Sequence, residues 1–315
     1  MRIPVSIILS TYNRQEYLET AIHNILNQTF GDFEFIIIND GSTDQTAQIC
    51  QRFAQEDPRI RFINLEKNGG LSRARELGVR SAQGEYLTFI DDDDICESNM
   101  IEFLYNLAVE NQADISICGG VNDYGDRIEP VFVYDQLYVL NKVEGLDEYL
   151  KREKFNTAPA TKLFKRTLFE KVSFLSNVKV DDIHVMYKVF AEAERVVAHG
   201  KPLYRWVKHG QNLTSFIQTN KLKPEILDEY ILMQKQRIEY LSKKVPEITP
   251  RVRYAAWSYM ISMCNKIKTY HCDDCEKQYE QMIQILKENL DEFENSLFIT
   301  ERERELLNLY VKNGV

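Results

Sequence analysis

Hydrophobic and polar positions in the first 120 residues alternate between two periods. Short, near-continuous apolar runs occupy Val5–Ser10, Glu34–Asn39, Ile60–Asn64, Tyr86–Ile90 and Asp114–Cys118. Runs of this length, rich in Ile, Val, Phe and Tyr, predict strands covered on both faces. Between them, Tyr17, Leu18, Ala21, Ile22, Ile25 and Leu26 recur at i, i+3, i+4 spacing, as do Met100, Leu104, Leu107 and Ala108; each set makes one apolar helix stripe. Thr43-Asp44-Gln45-Thr46 reads as a helix start with a hydroxyl N-cap. Regular β-α alternation predicts an α/β fold with a doubly wound, mostly parallel sheet of Rossmann-like type and right-handed crossovers. Ligands of such sheets bind beyond the carboxyl ends of the strands.

The pattern changes twice further on. Residues 121–220 are mixed, with a hairpin-like Val131–Leu140, a short helix after Val143, an extended Ala158–Lys165 and a helix near Asp182–Glu194. From about Pro224 only helical stripes remain: Ile226, Leu227, Tyr230 and Ile231; then Val252 to Ile267; then Tyr279 to Phe293; then Leu306 to Tyr310. Met and aromatic stripes at this spacing are core packing. Pro246 and Pro250 separate the first two. The expected organisation is 1–220, in halves 1–120 and 121–220, followed by a helical extension over 221–315.

Composition narrows the classes. Against 48 Asp+Glu stand 39 Lys+Arg, and 39 − 48 gives a net charge of −9. That balance argues against a nucleic-acid binder, which needs a Lys/Arg surplus to neutralise phosphates. With 44% hydrophobic residues the chain is too apolar for disorder, and 13 Gly and 8 Pro are too few for a low-complexity chain. No apolar run approaches the ~20 residues of a membrane span, and Arg2 is not followed by the apolar core of a signal peptide, so a cytoplasmic location is expected. Cys272 and Cys275 form a CxxC after His271, but without a second pair they read as ordinary thiols. Ten Lys and Arg between Lys221 and Lys268 make that stretch locally basic. It could attract an anionic lipid surface on the inner face of the membrane, although Glu225, Asp228, Glu229, Glu239 and Glu247 dilute the charge. The C-terminal helices could equally shape an acceptor pocket or pair two copies into a homodimer.

Candidate chemistry gathers at the strand ends: Ser10-Thr11-Tyr12-Asn13, Asn39-Asp40-Gly41-Ser42, Lys67-Asn68-Gly69-Gly70 and Asp91-Asp92-Asp93-Asp94. Four successive carboxylates repel one another unless a cation screens them. Hard oxygen ligands on a short loop suit Mg²⁺ or Mn²⁺, which take one or two carboxylates plus substrate phosphates. On an extended backbone Asp91 and Asp93 would face one way and Asp92 the other. In Asp40-Gly41-Ser42, glycine permits a tight turn and the helix N-terminus beyond it offers free amides to an anion. Neither GxGxxG nor GxxxxGK[ST] occurs, so the usual dinucleotide and P-loop fingerprints are missing.

These blocks resemble a known family. Pro4-Val-Ser-Ile-Ile-Leu-Ser-Thr-Tyr-Asn13, Asp40-Gly-Ser-Thr-Asp44, Asn68-Gly-Gly-Leu-Ser-Arg-Ala-Arg75, Gly84 to Asp94, and Asp181-Asp182 are similar to the family 2 inverting glycosyltransferases of GT-A fold. The likeness covers roughly residues 3–210. Thr161-Lys-Leu-Phe-Lys-Arg166 and the stretch through Leu203-Tyr204 resemble the branch that builds bacterial surface polysaccharides. The resemblance implies that Thr11, Tyr12 and Asn13 border a donor nucleotide and Asp40 contacts its uracil. Asn68 to Arg75, Gly70 among them, would close over the nucleotide. Asp91 and Asp93 match the metal-binding Asp-x-Asp, with Asp93 the direct ligand. Asp92 and Asp94 fill neighbouring places and assist with the sugar or ribose, and Asp91 and Asp92 also count among the nucleotide contacts. Asp181-Asp182 takes the place of a catalytic pair usually written Glu-Asp, whose second member is the base. His209 stands where some GT-A enzymes place a further metal ligand.

The implied function is a metal-assisted glycosyltransferase, a hexosyl- or N-acetylhexosaminyltransferase, with a UDP-linked nucleotide-sugar donor and a glycan or lipid-linked acceptor. Inversion needs a base and a charge-neutralising clamp at opposite ends of the reacting centre, which Asp182 and Asp93 would supply. Alternatives are a nucleotidyltransferase, for which no basic Gly-rich loop follows the first strand, and an inactive nucleotide-sugar-binding protein.

Overall fold

The computed structural model describes residues 3–175, 178–210 and 222–312. Its contacts divide the chain into two compact units, Met1–Lys208 and His209–Val315.

The first unit is built on one sheet. Strands β1 (Val5–Thr11) and β2 (Phe33–Asn39) are buried almost throughout. Next to them run β3 (Ile60–Asn64) and β4 (Tyr86–Phe89), all four parallel in the order β3-β2-β1-β4. Alternation of side chains across β1 feeds two cores. Val5, Ile7 and Leu9 pack with helices α1 (Leu18–Leu26), α2 (Thr46–Glu56) and α4 (Met100–Glu110). On the opposite face lies α3 (Leu71–Ser81), so close that a Cβ on Gly78 would stand 2.5 Å from Ile8 Cγ2. Covered on both faces, β1 and β2 can be apolar at most positions, which is the near-continuous pattern the sequence shows.

Beyond β4 the sheet becomes mixed. The two-residue strand β5 (Ile95–Cys96) follows the acidic run, and β6 (Ile115–Asp123) comes after α4. Then come β7 (Ile128–Val131), β8 (Leu137–Asn141), α5 (Lys142–Lys151), β9 (Lys162–Lys165), α6 (Asp182–Glu192) and the long β10 (Arg195–Val207). Strand β9 enters antiparallel between β4 and β6, and β10 lies parallel to β6. Two local expectations fail here. Val131–Leu140 is not a hairpin, because β7 pairs with β6 and β8 with β10: each finds a longer neighbour than the other could offer. Helix α2 starts at Thr46 with Gln45 at its N-cap and no side-chain cap. The Thr46 hydroxyl accepts instead from the Arg14 amide at 2.9 Å.

The second unit is helical among its described residues: α7 (Pro224–Lys244), α8 (Thr249–Thr269), α9 (Glu276–Glu288), the short α10 (Leu290–Glu294) and α11 (Glu301–Leu307). Leu227, Ile231, Trp257, Met260, Ile261, Met282, Leu286 and Phe293 form its core, so the stripes read as packing are packing. Cys275 is buried in that unit and Cys272 partly so, both outside disulfides. Among the described residues no helix is long and apolar enough to cross a membrane.

Candidate active site

Parallel register puts the strand ends side by side. Thr11 lies opposite Asn39, and Asn39 opposite Asn64. The loops that follow are tied together by their own polar groups. Asn13, at φ +52°, donates its amide to Ser42 Oγ at 2.9 Å and accepts from the Thr43 amide through Oδ1 at 2.8 Å. Gly41, at φ +71°, lets the backbone of Lys67 and Asn68 approach so near that a Cβ would meet it at 2.5 Å. Glycine is required here twice over, for its dihedral and for the space.

Asp40 is almost fully buried and spends both oxygens on the next loop. Oδ1 accepts from the Gly69 amide at 2.9 Å and Oδ2 from the Gly70 amide at 2.7 Å. The carboxylate therefore fixes the peptide that opens α3. Thr11 is buried beside these loops, while Tyr12, Asn13 and Asn68 are exposed at the carboxyl edge of the sheet.

The acidic run folds as a turn, with the Asp94 amide 3.4 Å from the Asp91 carbonyl. It is not extended, so Asp91 and Asp93 do not alternate against Asp92 as expected. Each carboxylate faces a cation or a hydrogen-bond donor. Asp91 Oδ1 accepts from Arg75 Nη2 at 2.8 Å, and its side chain remains 40% exposed. Arg14 faces two acids, with Nε 3.4 Å from Asp92 and Nη2 3.7 Å from Asp93. Asp94 is buried; its Oδ2 accepts from the Tyr204 hydroxyl at 2.8 Å and its Oδ1 from the Val207 amide at 2.9 Å. Burial, added to by the charges of Asp93 and Asp91, pushes Asp92 up to about 7. Burial, with Asp91 and Asp93 adding, holds Asp94 well above the carboxylate range. The repulsion expected from the sequence is real, and two guanidinium groups and a phenol moderate it.

Asp181 and Asp182 reach the same place from the start of α6. Arg75 Nη1 donates to both oxygens of Asp181, at 2.9 and 3.0 Å. Asp182, the first helical residue, has its carboxyl pushed up to about 6, first by burial and then by the Asp181 charge. Behind it, Lys162 is fully buried on β9, donating to Asn156 Oδ1 at 2.9 Å and to the Ala158 carbonyl at 2.7 Å. Burial lowers its amine to about 7. A carboxylate poised near neutrality is what proton abstraction from a hydroxyl requires.

Arg14, Lys162 and Tyr204 are the site residues that strand-end reasoning did not assign. For Arg14 a signal existed: a cation directly after the Thr11-Tyr12-Asn13 edge, on a sheet whose fourth strand ends in four acids. His209 is the first residue of the second unit. Among the described residues no three His, Cys, Asp or Glu side chains converge as a self-sufficient metal site. Asp91 and Asp93 nevertheless fit a divalent cation of the Mg²⁺ or Mn²⁺ kind, because such ions use one or two hard carboxylate oxygens and complete their shell with substrate phosphate and water.

Residues 6–173 match the family model for glycosyl transferase family 2. The chain belongs to glycosyltransferase family 2. The matched span takes in Asp40, Arg75 on α3 and the acidic turn, and ends short of Asp181. This family 2 chain is 36% identical over 241 residues to the uncharacterised glycosyltransferase EpsJ of Bacillus subtilis (strain 168), covering 74% of this chain and 67% of EpsJ. It is 34% identical over 209 residues to the glycosyltransferase GlyG of Streptococcus pneumoniae serotype 4, covering 64% of this chain and 69% of GlyG. In three dimensions it is similar to S. aureus TarS 1–349 in complex with UDP-GlcNAc, at a TM-score of 0.71 and 20% identity, covering 92% of this chain and 83% of that one. The family 2 chain is thus a glycosyltransferase of GT-A fold with C-terminal helices.

Proposed function

We propose that this enzyme moves a sugar, with inversion, from a UDP sugar to a hydroxyl of a glycan or lipid-linked glycan in the synthesis of a bacterial surface polysaccharide. One observation carries the reading: through Arg75, the acid that opens the Asp91–Asp94 turn and the residue next to Asp182 are held on a single side chain. A proton acceptor and an anionic turn are therefore neighbours at the carboxyl edge of the sheet. The UDP-GlcNAc of TarS and the names of the curated relatives support a nucleotide-sugar donor and a glycosyl product.

In this reading Thr11, Tyr12, Asn13, Asn68 and Gly70 border the nucleotide, with Asp40 holding the loop that carries Gly70. Asp182 takes the acceptor hydroxyl's proton as its oxygen bonds to the anomeric carbon and the bond from that carbon to the diphosphate breaks. Positioned base catalysis of this kind contributes about 10²–10⁴-fold in rate. Asp91 and Asp93 would hold a divalent cation, which when bound supplies neutralisation of the charge on the departing diphosphate. Asp92 completes the donor side.

The test replaces Asp182 by Asn. UDP binding by calorimetry should stay near the wild-type value, while sugar transfer, screened over a panel of nucleotide sugars, should fall by about 10²–10⁴-fold. Full transfer by Asp182→Asn would remove Asp182 as the base.

A further inference from the structure

We propose that Arg75 and Asp181 form a buried strut that sets Asp182 and Asp91 at a fixed separation, and that both are positioning residues rather than groups that touch the substrate. The proposal rests on the reading of Asp182 as the proton acceptor.

Every donor edge that the strut needs is occupied. Arg75 Nη1 lies 2.9 and 3.0 Å from the two Asp181 oxygens, and Nη2 lies 2.8 Å from Asp91 Oδ1. The Arg75 and Asp181 side chains are only 8% and 6% exposed, against 40% for Asp91. Two of the three members are thus sealed from a ligand, and the third opens to it. A guanidinium is planar and its two Nη atoms have a fixed spacing, so acids bound to both are held at a fixed distance. A lysine, a point charge on a flexible stem, cannot impose that geometry.

The strut is itself anchored. Its guanidinium carbon stands 5.8 Å from the Phe89 ring centroid on β4, and the first turn of α3 is pinned by Asp40 through Gly69 and Gly70. Asp181 is the N-cap of α6 with helical dihedrals, φ −71° and ψ −40°. Neighbours on a helix diverge by roughly 100° around the axis. Asp181 can therefore face Arg75 while Asp182 presents its carboxylate elsewhere, and a displaced Asp181 drags Asp182 with it.

The experiment measures kcat, its dependence on pH, and UDP affinity in chelator for the wild type, Asp181→Asn, Arg75→Met, the double variant and Asp182→Asn. Each strut variant should lose on the order of 100-fold in kcat, the cost of a ~1 Å misplacement, with UDP affinity near wild type. The double variant should lose no more than the worse single one, as expected of two residues acting through one contact. In Asp181→Asn the acidic midpoint of kcat should also move below its wild-type value. Asp182 is faced by Asp181, Arg75, Asp91 and Lys162. Removing the Asp181 charge and freeing that of Arg75 both favour its ionised form, a shift that loss of packing alone would not give. If Arg75→Met does not fold, Arg75→Lys takes its place in the cycle. Multiplying losses, an unmoved midpoint, or lost UDP affinity with kcat preserved would each overturn the strut. Full transfer by Asp182→Asn would instead remove the reading beneath it.

Discussion

Asp40 Oδ2 lies 2.7 Å from the Gly70 amide, with the other oxygen on Gly69 at 2.9 Å. The carboxylate that follows β2 thereby sets the entry to α3. Alanine at position 40 would leave two amides without their acceptor, at about 1–3 kcal/mol for each group left buried. Asp40→Ala should unfold at lower urea than the wild type and bind UDP more weakly. Unchanged values of both would show that the loop holds itself.

Gly41 predicts a second stability loss. Alanine there adopts φ +71° against Lys67 and Asn68 backbone 2.5 Å away. The dihedral alone costs about 1–2 kcal/mol. Thermal unfolding of Gly41→Ala should occur below the wild-type temperature. A variant that melts with the wild type would mean the turn rebuilds freely.

The pH profile of turnover follows from Asp182, whose carboxyl burial raises to about 6. A base works only when ionised. At saturating substrate kcat should therefore fall about tenfold per pH unit below that midpoint and level off above it. A flat profile between pH 5 and 8 would contradict a carboxylate base at this position.

Folding stability should run the other way. Folded Asp92 and Asp182 titrate at about 7 and about 6, above the ~3.9 of an unfolded Asp. Between those limits the folded chain binds more protons, so their contribution to stability declines as pH rises through that window. Metal-free protein should melt at lower temperature at pH 7.5 than at pH 5.5, and Asp92→Asn should flatten the difference. A melting curve that climbs with pH in both proteins would show that these two acids do not govern it.

Chelation supplies a separate check. EDTA should silence transfer, and Mn²⁺ or Mg²⁺ should restore it and raise the melting temperature at pH 7.5 more than at pH 5.5, since cations bind carboxylates in their ionised form. Turnover that persists in chelator would take the cation out of the reaction.

The chain's periodicity by itself determined the α/β alternation of the first 120 residues, the helical run after Pro224 and the gathering of polar groups at four strand ends. Those features depend on neighbours within one or two turns, and the sequence holds the neighbours. Tertiary structure decided the pairings. Arg75 meets Asp181, 106 positions away, and Tyr204 meets Asp94, 110 positions away. Val131–Leu140 parts into two strands on different partners, and Asp91–Asp94 closes into a turn. No local period encodes which cation answers which acid. That choice follows from the sheet order and from the face on which α3 and α6 pack, and it is made only when the layers close.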